Sequence, residues 1–108
     1  MKRLYKNVTI ITGGGKGIGF GLAQAFASEG SDLVLTGRTE SRLIEAKNKL
    51  ESEYGIEVLP IVADGADEEA IKNVIAKTVE RFGKINTLVN NAQVSKSGVP
   101  LIEHTKED

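Results

Sequence analysis

The sequence predicts a three-layer α/β/α domain around a parallel sheet with strand order 3-2-1-4. Three observations lead there. Apolar runs of strand length alternate with stretches whose apolar residues recur at helical spacing. A glycine follows each helical stretch, at Gly30, Gly55 and Gly83. The first apolar run passes directly into the glycine-rich string Thr12-Gly13-Gly14-Gly15-Lys16-Gly17-Ile18-Gly19. Alternating elements of this length imply a parallel sheet, helices on both faces and right-handed crossovers.

Val8-Thr9-Ile10-Ile11 is the first strand. After the glycine turn, Ile18, Leu22, Ala25 and Phe26 give the first helix one apolar face, and Gly30 closes it. Leu33-Val34-Leu35 is continuously apolar, as in a strand buried on both faces of a parallel sheet. The second helix runs from about Glu40, with Leu43, Ala46, Leu50 and Tyr54 on one stripe, to Gly55. Val58 to Ala63 form the third strand. The third helix starts near Asp67, whose carboxylate can cap it, and turns Ile71, Val74, Ile75, Val79 and Phe82 inward before Gly83. Leu88-Val89 is the heart of a fourth strand. Pro60 tests the order of strands, because proline cannot donate to a ladder and so belongs on an edge strand. The order 3-2-1-4 places the third strand at an edge.

The totals exclude several classes of function. The 108 residues fit one domain, with ordinary apolar (40%) and charged (27%) fractions. A net charge of −1 gives no general attraction to nucleic acid or anionic membranes. Without cysteine there is no disulfide, thiolate metal site or cysteine nucleophile, and no metal ligands are assigned. Lys2, Arg3 and Lys6 precede an apolar run too short for a signal peptide, and no run approaches a membrane span. A cytoplasmic, soluble protein is expected.

A strand that runs through glycines into a helix N-terminus is a means of holding phosphate. Free N–H groups and the helix dipole favour an anion there, and glycines let it approach the backbone. Lys16 is followed by Gly17 rather than Ser or Thr, so the string is not a magnesium-binding P-loop. The spacing Thr12-Gly13-x-x-x-Gly17-x-Gly19 resembles the cofactor motif of the short-chain dehydrogenase/reductase family. The resemblance covers essentially the whole chain from Val8 onward, as the amino-terminal half of that family's Rossmann-type fold. It implies a dinucleotide-binding domain over residues 1–108, truncated before the catalytic half.

The same resemblance implies the binding residues. Thr12, Gly13, Gly15, Lys16, Gly17, Ile18 and Gly19 match the pyrophosphate loop, where Lys16 taken alone could equally be a solvated charge. NAD-selective sites place a carboxylate about 20 residues beyond the glycines. Here Thr36-Gly37-Arg38 holds that place: Gly37 has no carboxylate to repel a phosphate, and Arg38 can form two charge-assisted bonds to one. The pair Gly37 and Arg38 is similar to the family's NADP-selective pattern, so NADP is the expected cofactor. Asp64, after Ala63, matches the aspartate that the family sets against the adenine amino group. Asn90-Asn91-Ala92-Gln93 resembles the family's Asn-Asn-Ala-Gly motif, with Gln93 a departure that bears on the local backbone path.

The family's reaction uses a serine and a Tyr-x-x-x-Lys pair. Tyr5 and Tyr54 are the tyrosines, and the positions that would need lysine are Thr9 and Val58. His104 reads as a solvated residue in a polar tail, and Ser95 and Ser97 have no base at a recognisable spacing. No catalytic residue is assigned. Glu103 to Asp108 read as a helix start capped by Thr105, which makes the chain resemble a fragment. That ending leaves the fourth strand as a bare apolar edge and predicts self-association or a homo-oligomer. The intact family member would transfer a hydride between nicotinamide and a small carbonyl or alcohol substrate. The alternative is a non-enzymatic nucleotide-binding or regulatory protein. A methyltransferase would want an acidic residue where Gly37-Arg38 stands.

Overall fold

The computed structural model describes residues 6–13, 17–64, 67–90 and 101–104. Its elements are β1 (Val8–Thr12), α1 (Gly17–Ser28), β2 (Asp32–Gly37), α2 (Glu40–Tyr54), β3 (Val58–Val62), α3 (Glu68–Phe82), β4 (Thr87–Asn90) and β5 (Leu101–His104). The sheet order is β3-β2-β1-β4-β5, with β3, β2, β1 and β4 mutually parallel as the alternating pattern requires.

Two apolar clusters sit on the two faces. On one, Ile11, Leu33, Leu35, Val58 and Val89 of the strands meet Ala23 and Ala27 of α1 and Leu43, Ala46 and Leu50 of α2. On the other, Val8, Ile10 and Val34 meet Val74 of α3, with Leu59, Ile61, Ala70, Phe82 and Leu88 around them. Neighbouring residues of β2 thus enter opposite clusters, which accounts for its unbroken apolar run.

The helix ends follow local chemistry. Gly55 and Gly83 stand at φ 72° and 83°, where a side chain would be strained, and their N–H groups bond Glu51 O and Val79 O. Asp67 caps α3, its carboxylate accepting from the N–H groups of Glu69 (3.0 Å) and Ala70 (3.3 Å).

β3 is the edge strand that Pro60 demands. The carbonyl of Glu57 and the N–H of Ala63 both face β2, so the alternation turns the Pro60 nitrogen outward, where no donor is needed. At the start of this edge, the outward N–H of Val58 is covered by the Glu51 carboxylate (3.0 Å).

Three expectations are corrected. The buried ridge of α1 is Gly19, Ala23 and Ala27. Leu22 and Phe26 flank it half-buried, whereas Ala25 is exposed and Ile18 is 60% exposed. Small residues let the helix lie close to the sheet, so the larger side chains move to its flanks. In α3, Ile75 and Val79 are 37% and 47% exposed, and Thr78 is buried instead. Its Oγ1 donates to Val74 O at 2.7 Å, which satisfies the hydroxyl and lets it turn inward.

The third correction concerns the far edge. Glu103 and His104 belong to β5, which pairs antiparallel with β4 from Asn90↔Leu101 to Thr87↔His104. The edge of β4 is therefore not bare. Its backbone groups are satisfied by the chain itself, which removes the stated reason for self-association. Thr105 lies outside the described residues.

Candidate functional site

The carboxyl ends of β1, β2, β3 and β4 gather the predicted residues along one edge of the sheet. This is where parallel α/β sheets bind ligands. Hydrogen bonds link the four strand ends into a chain. Ala63 N–H donates to Gly37 O (2.9 Å), and Gly13 N–H donates to Thr36 O (2.8 Å). The Thr12 hydroxyl donates to Asn90 Oδ1 (3.1 Å) and to Val89 O (3.3 Å). Thr12 is buried, so its role is to fix β1 against β4 rather than to meet solvent.

Gly13 and Gly17 flank the turn into α1 at φ 71° and 61°, the left-handed region that glycine tolerates. A Cβ on Gly17 would meet nothing within 4 Å, so its need for glycine is conformational. The first turn of α1 holds no acidic side chain to neutralise its positive end. Gly19 is buried against the sheet, while Ile18 projects outward. Gly15 and Lys16 lie outside the described residues, as do Asn91, Ala92 and Gln93.

Gly37 ends β2, and a Cβ there would approach Leu43 Cδ2 at 3.4 Å, an ordinary contact. Glycine is thus not forced by packing, and what distinguishes the position is its lack of a carboxylate. Arg38 is exposed and makes no hydrogen bond or ion pair among the described residues. Thr39 follows as the N-cap of α2, yet its side chain makes no capping bond. The first turn of α2, which also carries Glu40, therefore keeps N–H groups that an anion beside Arg38 could bond. Asp64 is exposed beyond β3, its carbonyl accepting from Asp67 N–H (2.9 Å).

Two features were not singled out from the sequence: the unfilled cap at Thr39 and the Thr36 hydroxyl, which is buried without a partner among the described residues. The second had a signal. Alternation along β2 makes Thr36 the next residue after Val34 on the same face. Tyr54 ends α2 and packs half-buried against the cluster under α1 and α2, at the opposite end of the sheet from these residues. Among the described residues, no group of acidic or histidine side chains is gathered as a metal site, and no helix is long and apolar enough to cross a membrane.

Residues 7–108 match the family model described as short chain dehydrogenase. A 12alpha-hydroxysteroid dehydrogenase from a Clostridium species is 50% identical over 106 residues, covering 93% of this chain and 41% of that protein. The crystal structure of L-sorbose reductase from Gluconobacter frateurii, complexed with NADPH and L-sorbose, matches with TM-score 0.80. It is 38% identical, over 85% of this chain and 35% of that one. An NAD+-bound xylitol dehydrogenase matches with TM-score 0.75 and 32% identity, over 81% of this chain and 33% of that one. The chain spans well under half the length of these relatives.

Proposed function

Because this chain belongs to the short-chain dehydrogenase family, we propose that it is the NADP(H)-binding portion of an oxidoreductase acting on a small carbonyl or alcohol substrate. The bound nicotinamide would supply or accept the hydride. This chain's own residues would hold the rest of the dinucleotide. The Gly13–Gly19 turn and the amino end of α1 take the pyrophosphate, Gly37 and Arg38 the ribose phosphate, and Ala63, Asp64 and Asn90 to Ala92 the adenosine.

The observation that carries the preference for NADP is the tip of β2. Arg38 is exposed with no ion-pair partner among the described residues, and the α2 cap beside it is unfilled. A 2′-phosphate would find a guanidinium and free N–H groups there, with no aspartate to repel it. The solved relatives include both an NADPH complex and an NAD+ complex, so the choice rests on these residues.

Arg38→Ala is the test. It is expected to weaken NADPH by about 1.5–3 kcal/mol, the worth of a charged hydrogen bond, and to leave NADH unchanged. Unaltered NADPH affinity in a titration would reject the assignment. A second reading is a nucleotide-binding protein without turnover; Tyr54, half-buried at the far end of the sheet, is no part of this edge. NADPH binding with no oxidation in the presence of any carbonyl would select it.

A further inference from the structure

Among the described residues, Thr36 carries the buried side-chain oxygen that no other group satisfies. Successive residues of a strand face opposite sides of the sheet. Ile10 of β1, Val34 of β2 and Leu88 of β4 all pack into the cluster with Val74 of α3. Two residues further on, the same face carries Thr12, Thr36 and Asn90. These are neighbours in register, Thr36↔Thr12 and Thr12↔Asn90. The last inward layer of the sheet therefore turns from apolar to polar across three adjacent strands.

Within this row the Thr12 hydroxyl is bonded to Asn90 and to Val89 O. Thr36 presents the same hydroxyl one strand away, is 0% exposed, and its Oγ1 has no hydrogen-bond partner among the described residues. A buried hydroxyl left unpaired costs stability that a valine of the same shape would not. Valine and isoleucine fill the equivalent positions one layer below. The exception falls at the nucleotide edge: Thr36 precedes Gly37-Arg38, its own carbonyl fixes Gly13, and it is in register with Ile61, which leads into Ala63 and Asp64.

We propose that Thr36 is a positioning residue of this site, whose hydroxyl takes its missing hydrogen bond from the adenosine half of the dinucleotide, directly or through one water. The inference rests on the nucleotide reading above. The adenosine half is the occupant because Gly37-Arg38 follow Thr36 in sequence and Ile61, its partner in β3, leads into Ala63 and Asp64. Stability lost in the free chain is recovered on binding, as is usual where a site is built ahead of its ligand.

The test compares the unchanged full chain with Thr36→Val and Thr36→Ser. NADPH, NADH and ADP-ribose are titrated by calorimetry, and each protein is melted without nucleotide. Thr36→Val is expected to bind all three about three- to tenfold more weakly, the worth of one neutral hydrogen bond, and to melt higher. Thr36→Ser should restore the affinity. Equal affinity in Thr36→Val overturns the inference, and so does a loss confined to NADPH, which would place the effect at Arg38. A melting temperature that does not rise also overturns it, because the hydroxyl would then already have a partner. If the unchanged chain binds none of the three, the nucleotide reading itself falls, a result distinct from equal binding.

Discussion

Thr12 shows how one buried side chain can tie together the strands that carry a site. Its hydroxyl joins β1 to β4 through Asn90 and Val89. Thr12→Val keeps the shape and removes both bonds, so unfolding in urea should show a loss of about 1–2 kcal/mol. Gly37 makes the opposite case, because its value lies in what is missing. A Cβ there meets Leu43 at an ordinary contact distance, and the backbone is not left-handed. Gly37→Asp should therefore fold normally yet disfavour NADPH by about tenfold or more through repulsion of the 2′-phosphate. Parallel titrations with NADH, which lacks that phosphate, would reveal any general damage. That Gly37-Arg38 carries a cation and no carboxylate is legible from residue type, whereas the Thr36 hydroxyl, unpaired among the described residues, needed every neighbour in place before it could be counted.

Helices show why spacing alone places some faces and not others. In α2 the predicted stripe of Leu43, Ala46 and Leu50 is the buried one. In α1 the buried ridge is made of the smallest residues, because close approach to the sheet outweighs side-chain size. Ala23→Leu, on that ridge at 0% exposure, should cost about 1–3 kcal/mol by overpacking, read as a fall in melting temperature. The cap of α3 was legible from sequence because it is local chemistry. Asp67→Ala removes two bonds to backbone N–H groups and should cost about 0.5–2 kcal/mol in the same assay.

Across the whole molecule, the outer edge of β3 is guarded by a charged residue. Burial tends to raise the pKa of Glu51, but the Lys47 side chain, the Val58 N–H and the charges of Lys47 and Arg81 outweigh it and hold the carboxyl below its ordinary value. A depressed carboxyl stabilises the fold above its unfolded pKa and loses that contribution as pH falls through the folded one. Stability should therefore decline as the solution is acidified below the ordinary glutamate value of 4.5, and Glu51→Gln should flatten that decline in melting curves taken across the range. The other edge is guarded by β5 along β4. A chain ended after Pro100 would uncover the backbone groups of β4, and light scattering should then report self-association.

The sequence by itself determined β1 to β4 and α1 to α3, the order of the four parallel strands and the glycine-marked edge where a nucleotide would lie. Those follow from local chemistry: apolar periodicity, left-handed glycines, a capping aspartate and a proline that cannot donate to a ladder. Tertiary structure alone decided which face of α1 and α3 is buried, because that depends on how closely each helix can approach the sheet. It also decided the fate of the β4 edge, since the strand that covers it comes from residues 101–104, of which Glu103 and His104 read locally as part of a helix start. Finally, it left Thr36 buried without a partner among the described residues: hydrogen-bond satisfaction is a property of the assembled neighbourhood, and no residue carries it in its name.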